Sequence, residues 1–322
     1  MVEGRWLGPY KLVEVTARGE LLAHYRAYDT QRDRPVLIKL VHSHMQDDAD
    51  LINRASQRAQ ALLDLHHPNI VSIRDARFEP DAVYFVTDIP EGESLEQRLA
   101  QHGPLEVDDA LSIISQVAAA LDYAHEQGTF HHDIRPANII LQDGTALLTD
   151  FFMLEALGAT PAYAAPEQLD ETSAGTPGSR SDAYALGVVV YEMLAGKPPF
   201  EGSAAEVALA HLTQRPLSPR LHNPDLFPSL DAILLKALSK QPQSRYQSAG
   251  SLANALREAV QAAQTRRMAD EGVFGNSRTN ADETSYNALT SITAGGVPLW
   301  IWIGLGILLT VVVSSAILLA TN

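Results

Sequence analysis

Within His131-His132-Asp133-Ile134-Arg135-Pro136-Ala137-Asn138, and again twelve residues later at Asp150-Phe151, the chain carries side chains that can accept a proton or hold a cation. The carboxylates of Asp133 and Asp150 and the amide of Asn138 meet at one point only if the residues between them fold back. Ile139-Ile140-Leu141 and Ala146-Leu147-Leu148 read as two short strands, with Gln142-Asp143-Gly144-Thr145 as their turn. Either loop alone would be an ordinary polar connection. Their order and spacing together point to a site with proton and metal ligands.

Several elements must hold that site. Upstream, Asp109 to Gln127 places Leu111, Ile114, Val117, Ala118, Leu121, Ala124 and His125 on one helical face, and Gly128 ends the helix. Downstream, Ser181 to Leu194 is apolar nearly all round and predicts a buried central helix, closed by Gly196-Lys197-Pro198-Pro199-Phe200. Toward the N-terminus, Tyr10 to Val15, Ala23 to Tyr28 and Pro35 to Val41 read as strands separated by turn residues. Asp50 to Leu65 is helical in character, and Ala82 to Asp88 is a further strand running into Ile89-Pro90-Glu91-Gly92.

Composition narrows the functions open to such a chain. Its 322 residues are 46% hydrophobic, enough for two compact domains or one large bilobal one. The formal charge of −15, with no long Lys/Arg cluster, argues against nucleic acid as a partner. The absence of cysteine removes disulfides, thiolate metal sites and thiol catalysis. The close pairs His42 and His44, His66 and His67, and His131 and His132 lack Cys or Glu partners at ligand spacing and read as loop and surface residues.

The His131 to Asp150 window resembles the catalytic and metal-binding loops of protein kinases, H-R-D-x-x-x-x-N and D-F-G. That resemblance implies an α+β, bilobal fold, with a small β-rich lobe over residues 1–89 and a larger helical lobe over residues 90–262. It implies that Asp133 accepts the proton of the substrate hydroxyl and that Asn138 and Asp150 ligate Mg2+. Arg135 stands where Ser/Thr kinases carry a lysine that touches the transferred phosphate. Val36-Leu37-Ile38-Lys39 is similar to the V-A-I-K strand, which makes Lys39 the partner of the ATP α- and β-phosphates. Gly19 remains from the glycine-rich cover, Thr87 falls at the back of the adenine pocket, and Asp88 offers its carbonyl to the base. Ala165-Pro166-Glu167 matches A-P-E, and Thr160 matches the threonine placed beside the catalytic aspartate. Asp182 matches a residue that supports the catalytic-loop backbone, and Arg245 matches the ion-pair partner of Glu167. The resemblance runs from Tyr10 to about Ala262 and looks like the eukaryotic-type Ser/Thr kinases of bacteria.

The departures from that pattern shape the functional expectation. His132 replaces an arginine that normally grips an activation-loop phosphate, and the short segment from Met153 to Ala164 offers only Thr160 and Tyr163 for modification. Phe152 replaces the D-F-G glycine, and Ala17 and Leu22 stand at two glycine positions of the phosphate cover, where Leu22 narrows the space. Arg58 occupies the position from which a helix should offer a glutamate to Lys39, and no acidic residue lies between Asp50 and Asp64. Asp150 is then the nearest carboxylate for Lys39. Pro90 has no N–H to give to adenine. The resemblance therefore implies an ATP- and Mg2+-dependent Ser/Thr protein kinase with slow transfer to a protein substrate. The alternative is a pseudokinase serving as a membrane-tethered binding or scaffold module, and small-molecule kinases come third.

Beyond Ala262 the chain turns polar and rich in Ser, Thr, Asn, Gly and Ala, which reads as a flexible linker over residues 263–296. Residues 297–320 then read as a transmembrane helix: the 22 residues from Leu299 to Ala320 carry no charge, long enough for a ~30 Å hydrocarbon layer. Only Thr321 and Asn322 follow, so nothing folded is expected beyond the membrane. The N-terminus has no signal-peptide pattern. Arg266, Arg267 and Arg278 precede the span, which predicts a single-pass cell-membrane anchor with the kinase-like domain in the cytoplasm. Trp300 and Trp302 would sit at the inner interface. Gly306, Thr310 and Ser314 recur every fourth residue and would allow a homodimer through this helix.

Overall fold

The computed structural model describes residues 5–18, 22–42, 61–79, 82–151, 160–170, 175–290, 293–294 and 297–298, together with 53, 56, 57 and 59. Two compact units divide it, residues 1–261 and 262–322. The first holds a sheet of six strands in the order β1-β2-β3-β4-β6-β5. These are β1 (Trp6–Leu7), β2 (Tyr10–Arg18), β3 (Leu22–Asp29), β4 (Arg34–Val41), β5 (Ile73–Glu79) and β6 (Ala82–Thr87). One face of this sheet buries Tyr10, Leu12, Tyr25, Ala27, Val36, Ile38, Tyr84 and Val86. Period-two alternation sends their neighbours to the other face: Leu22, His24 and Lys39 look the same way, because His24 pairs with Lys39 and Leu22 with Val41 across β3 and β4.

The larger lobe is helical and follows a short strand, β7 (Glu93–Ser94). Its helices are α1 (Leu95–His102), α2 (Val107–Glu126), α3 (Pro166–Leu169), α4 (Ser179–Ala195), α5 (Ala204–Thr213), α6 (Pro228–Ala237) and α7, which begins at Ala249. Ser94 caps α1 in a capping box with Gln97, satisfying backbone donors that the helix start leaves open. Helix α4 is buried on nearly every side, as its apolar composition predicts, and Gly196 ends it in the left-handed conformation. At Gly187 an added Cβ would stand 2.8 Å from the Ala237 Cβ, so the close approach of α4 to α6 requires glycine there.

The hairpin expected between the two loops forms from β8 (Ile139–Gln142) and β9 (Thr145–Leu148). Its two-residue turn is Asp143-Gly144, both with positive φ (46° and 80°), the geometry that two-residue hairpins favour. Parallel bonding from Val71 N–H to Leu148 O (2.9 Å) and from Leu148 N–H to Asn69 O (2.8 Å) stitches this hairpin to the chain entering β5.

Helical backbone runs from Ala249 to Thr290, across most of the stretch read as linker. The composition that suggested flexibility also contains helix formers, Gln261-Ala-Ala-Gln-Thr-Arg-Arg-Met-Ala, with no proline before Pro298. The hydrophobic run at 299–320 lies outside the described residues; among those described, no helix is long and apolar enough to cross a membrane.

Candidate active site

Asp133, Asn138 and Asp150 are brought together by a catalytic loop whose backbone hangs on one carboxylate. Asp182, at the start of α4 and fully buried, accepts from His131 N–H (2.9 Å), His132 N–H (2.7 Å) and His125 Nε2 (2.8 Å). Burial by itself would raise this carboxyl; the hydrogen bond from His125 and the surrounding imidazoles outweigh it and hold Asp182 below the usual carboxylate range. The anchoring supports an unusual backbone: His132 has φ 64° and Asp150 φ 70°, left-handed values that cost a non-glycine residue about 1–3 kcal/mol each.

His131 links the two loops. Asp133 N–H donates to its Nδ1 (3.2 Å), so the ring proton sits on Nε2, which donates to Thr149 O (2.8 Å). Burial lowers the His131 pKa, consistent with that neutral tautomer, and its ring packs 4.7 Å from Phe151.

The Asp133 carboxylate is held on one side and open on the other. Asn138 Nδ2 donates to Asp133 Oδ2 and to Asp133 O, both at 2.9 Å, and Arg135 Nε stands 3.2 Å from Oδ2 without hydrogen-bond alignment. Oδ1 is buried with no hydrogen-bond partner. Because the Asn138 amide nitrogen is spent on Asp133, its amide oxygen remains an acceptor. Asn138 itself sits in the 3-10 turn Pro136–Asn138, and Thr149 N–H donates to its backbone oxygen (3.0 Å).

Lys39, on β4 and 2% exposed, makes an ion pair with Asp150 and lies 3.5 Å from Thr149 Oγ1. Burial pushes the Lys39 ammonium down, to about 7. This is the pairing expected once the helix before β5 supplies no glutamate. The position of that missing glutamate, Arg58, lies outside the described residues, as do Gly19 and Phe152.

Other expected site residues are placed differently from a simple pocket lining. The Asp88 side chain turns to two arginines, with Arg74 Nε 2.9 and 3.0 Å from its oxygens and Arg34 Nη1 at 3.4 Å, while its N–H donates to Ser72 O. Thr87 lines a water-sized cavity of about 10 Å3 with Leu62, Leu65, Phe151 and Asp150, its hydroxyl buried and unpartnered. Thr160 is half-buried and closes a turn through its carbonyl, which accepts from Tyr163 and Ala164 N–H; its hydroxyl makes no bond to Asp133. Leu22 is buried on the Lys39 face of the sheet.

One neighbour of the site escaped the sequence reading. His24 pairs with Lys39 across the strands, and burial together with the Lys39 charge lowers its pKa to about 4. It is a neutral imidazole beside the buried ammonium. Only the strand register could have revealed it.

Farther from the reacting groups, Glu167 and Arg245 form the expected buried ion pair at 2.7 and 2.8 Å. All five Arg245 donors find acceptors: two on Glu167, and the carbonyls of Ser239, Lys240 and Arg180. Ser181 Oγ–H adds a 2.6 Å bond to Glu167. Gln168 Nε2 donates to His132 O (2.8 Å), which ties this network to the catalytic loop.

Comparison with known proteins agrees with this geometry. The protein kinase domain family matches residues 10–258. The serine/threonine-protein kinase PrkC of Bacillus subtilis is 35% identical over 81% of this chain and 42% of its own length. PknE of Mycobacterium bovis is 34% identical over 83% of this chain and 49% of its own. The chain thus spans less than half the length of these curated relatives. The crystal structure of the Mycobacterium tuberculosis PknI kinase domain superposes with a TM-score of 0.69 at 27% identity, covering 80% of this chain and 99% of that one. With the family matched from the first long strand to the last helix of the larger lobe, the chain belongs to the protein kinase domain family, among its bacterial Ser/Thr members.

Proposed function

We propose that this chain is a Ser/Thr protein kinase of low turnover, anchored in the cell membrane through residues 297–320. The observation that carries the catalytic reading is the Asp133 carboxylate, with Oδ2 fixed by Asn138 and Oδ1 buried and unpartnered. A carboxylate so oriented has one acceptor left for the proton of an incoming hydroxyl. The donor set suits Mg2+: the Asn138 amide oxygen and the Asp150 carboxylate are hard oxygen ligands. Among the described residues no cluster of three His, Cys, Asp or Glu could hold a metal, so phosphate oxygens would complete the coordination. Mg-ATP, when bound, supplies the phosphoryl group and spreads its charge.

The remaining tasks fall to the chain. Asp133 receives the acceptor proton, and Arg135 beside it offers positive charge where the phosphoryl group arrives. Lys39 and Asp150 both face nucleotide tasks while bound to each other, so each must loosen from its partner to serve. A displacement of about 1 Å in such a site costs on the order of a hundredfold in rate, which supports slow transfer. The same ion pair, together with Pro90 at the hinge, favours a second reading: a pseudokinase acting as a membrane-tethered scaffold. The uncharged run from Leu299 to Ala320 and the arginines before it support the anchor with a cytoplasmic kinase-like domain, and Gly306, Thr310 and Ser314 support pairing of two such helices.

Full-length protein in detergent, given radiolabelled ATP, Mg2+ and a generic basic protein, should label that protein above the level of Asp133→Asn. Equal labelling by the two would end the enzyme reading and leave the scaffold. Protease added to intact cells should spare the catalytic lobe, and its digestion from outside would reverse the orientation.

A further inference from the structure

Helix α5 carries a histidine that the catalytic geometry does not use. His211 is fully buried, 0% exposed, on the side of α5 that meets α4 and the segment leading to Ala165-Pro166-Glu167. Its Nε2 lies 3.0 Å from Ala162 O and its Nδ1 2.8 Å from Tyr184 Oη. A carbonyl can only accept, so Nε2 carries the ring proton and donates to Ala162; Nδ1 then accepts from the Tyr184 hydroxyl. Phe200 packs edge-on against the ring at 4.9 Å and Tyr184 at 5.6 Å, which fixes its plane. Burial, aided by Lys240, lowers its pKa to about 4, so the neutral tautomer persists at physiological pH.

The carbonyl that His211 holds belongs to the turn that carries Tyr163, which Arg135 connects electrostatically to Asp133. Thr160 O accepts from Tyr163 and Ala164 N–H (3.1 and 3.2 Å), and Tyr163 Oη–H donates to Glu192 Oε2 on α4 (2.8 Å). Arg135, beside Asp133, is close enough to Tyr163 to act on its charge. Beyond the turn, Gln168 reaches the His132 carbonyl. Among the described residues, the backbone from Thr160 to Ala165 is hydrogen-bonded to α4 through Tyr163 and to α5 through His211, and the Ala162 methyl offers no donor or acceptor of its own.

We propose that His211 is a positioning residue for the protein acceptor: through its bond to Ala162 O it sets the backbone of the Thr160–Ala165 turn against which an acceptor chain lies on its way to Asp133. This rests on the kinase reading for its consequence in catalysis, but not for its structural content. Nucleotide handling is distant from the bond and should be unaffected.

The test uses the full chain with His211→Leu, His211→Gln and Tyr184→Phe. Glutamine places an N–H donor near the position of Nε2 and should rescue; leucine removes the donor; phenylalanine at 184 frees the ring while retaining its packing. The expected result is a rise of about tenfold or more in KM for the protein acceptor with His211→Leu, with stabilisation by Mg-ATP and kcat nearly unchanged, a smaller rise with Tyr184→Phe, and near-wild-type values with His211→Gln. Amide hydrogen exchange supplies a readout independent of activity: the Tyr163 and Ala164 amides should exchange at least tenfold faster in His211→Leu while the α4 amides do not change. If wild type transfers no phosphate, the kinase reading fails and the exchange data alone decide the role of His211. Exchange at Tyr163 and Ala164 equal to wild type, or acceleration spread evenly over the larger lobe, overturns the proposal. So does a glutamine variant that behaves like leucine.

Discussion

The two lobes treat a buried cation in opposite ways. In the larger lobe, Arg245 meets five acceptors, all from its own lobe, and two of them belong to a carboxylate with no other task. In the smaller lobe, Lys39 is as deeply buried but pairs with Asp150, which lies on the far side of the hinge and is also the carboxylate proposed to hold a metal ion. The larger lobe is thus complete without ligand. The smaller one borrows Asp150 from the site, so under the proposed kinase reading nucleotide and metal would compete with the resting ion pair for the same two groups. Buried ion pairs are poor contributors to stability unless their geometry is good and their remaining hydrogen-bonding groups are satisfied, and Arg245 meets that condition entirely within one lobe, whereas the Lys39 pair spans both.

The largest effect should come from the reacting group that both lobes serve. Asp133→Asn is expected to lower phosphate transfer on the order of 10²–10⁴-fold in the radiolabel assay without altering circular dichroism, as loss of a general base does. Next, Arg245→Met should break the complete network and leave Glu167 charged and buried, costing about 3–5 kcal/mol in urea unfolding. Lys39→Met should cost far less, within about 1 kcal/mol, because it removes a cation whose burial is already unfavourable and leaves Asp150 near solvent. Similar losses for the two variants would erase the contrast between the lobes.

The pH response of the larger lobe provides a finer test. His211 has a folded pKa of about 4 against an ordinary 6.5, so the unfolded chain binds more protons between those values and stability rises with pH across that window. The contribution is full above about 6.5 and is lost as pH falls through 4; at most it amounts to about 3 kcal/mol. Comparing urea unfolding of wild type and His211→Gln at pH 7 and pH 5 isolates it, and an unchanged difference between the two proteins would remove this assignment. The smallest effect is expected from Arg58→Glu, at the position from which the family resemblance implies a carboxylate partner for Lys39 that would free Asp150. Transfer should rise several-fold, on the order of 1 kcal/mol of barrier, and a fall would show that Lys39 and Asp150 do not compete.

How much of this was legible beforehand varies with the reach of the interaction. The hairpin between Ile139 and Leu148 was readable because turn chemistry and strand alternation are local. The Asp182 and Glu167–Arg245 anchors were readable because a motif supplied their partners across a long sequence distance. The Lys39–Asp150 pair was readable by elimination, since a buried lysine needs a carboxylate and the stretch between Asp50 and Asp64 has none. His24 was not, because its nearness to Lys39 depends on a register that no single strand specifies. Thr160 was expected beside Asp133 by motif, yet its hydroxyl makes no bond there; the turn employs its carbonyl instead. Helix across residues 263–290 was missed because composition weighs polarity and ignores how few residues in that stretch break a helix.

What the sequence by itself determined is the inventory: which lobe holds which charges, where the candidate carboxylates and amide fall, and which customary partners are absent. These follow from residue identity and spacing along the chain, and no packing can alter them. Only the tertiary structure decided how the inventory is shared. It left Asp133 with one carboxylate oxygen unpartnered, turned the Asp88 side chain away to Arg74 and Arg34, and set His211 on the carbonyl of Ala162. Each of these is a choice among several acceptors or donors of the same type. In a close-packed interior that choice is settled by distance and direction to within a few tenths of an ångström, information that exists only once the elements have met.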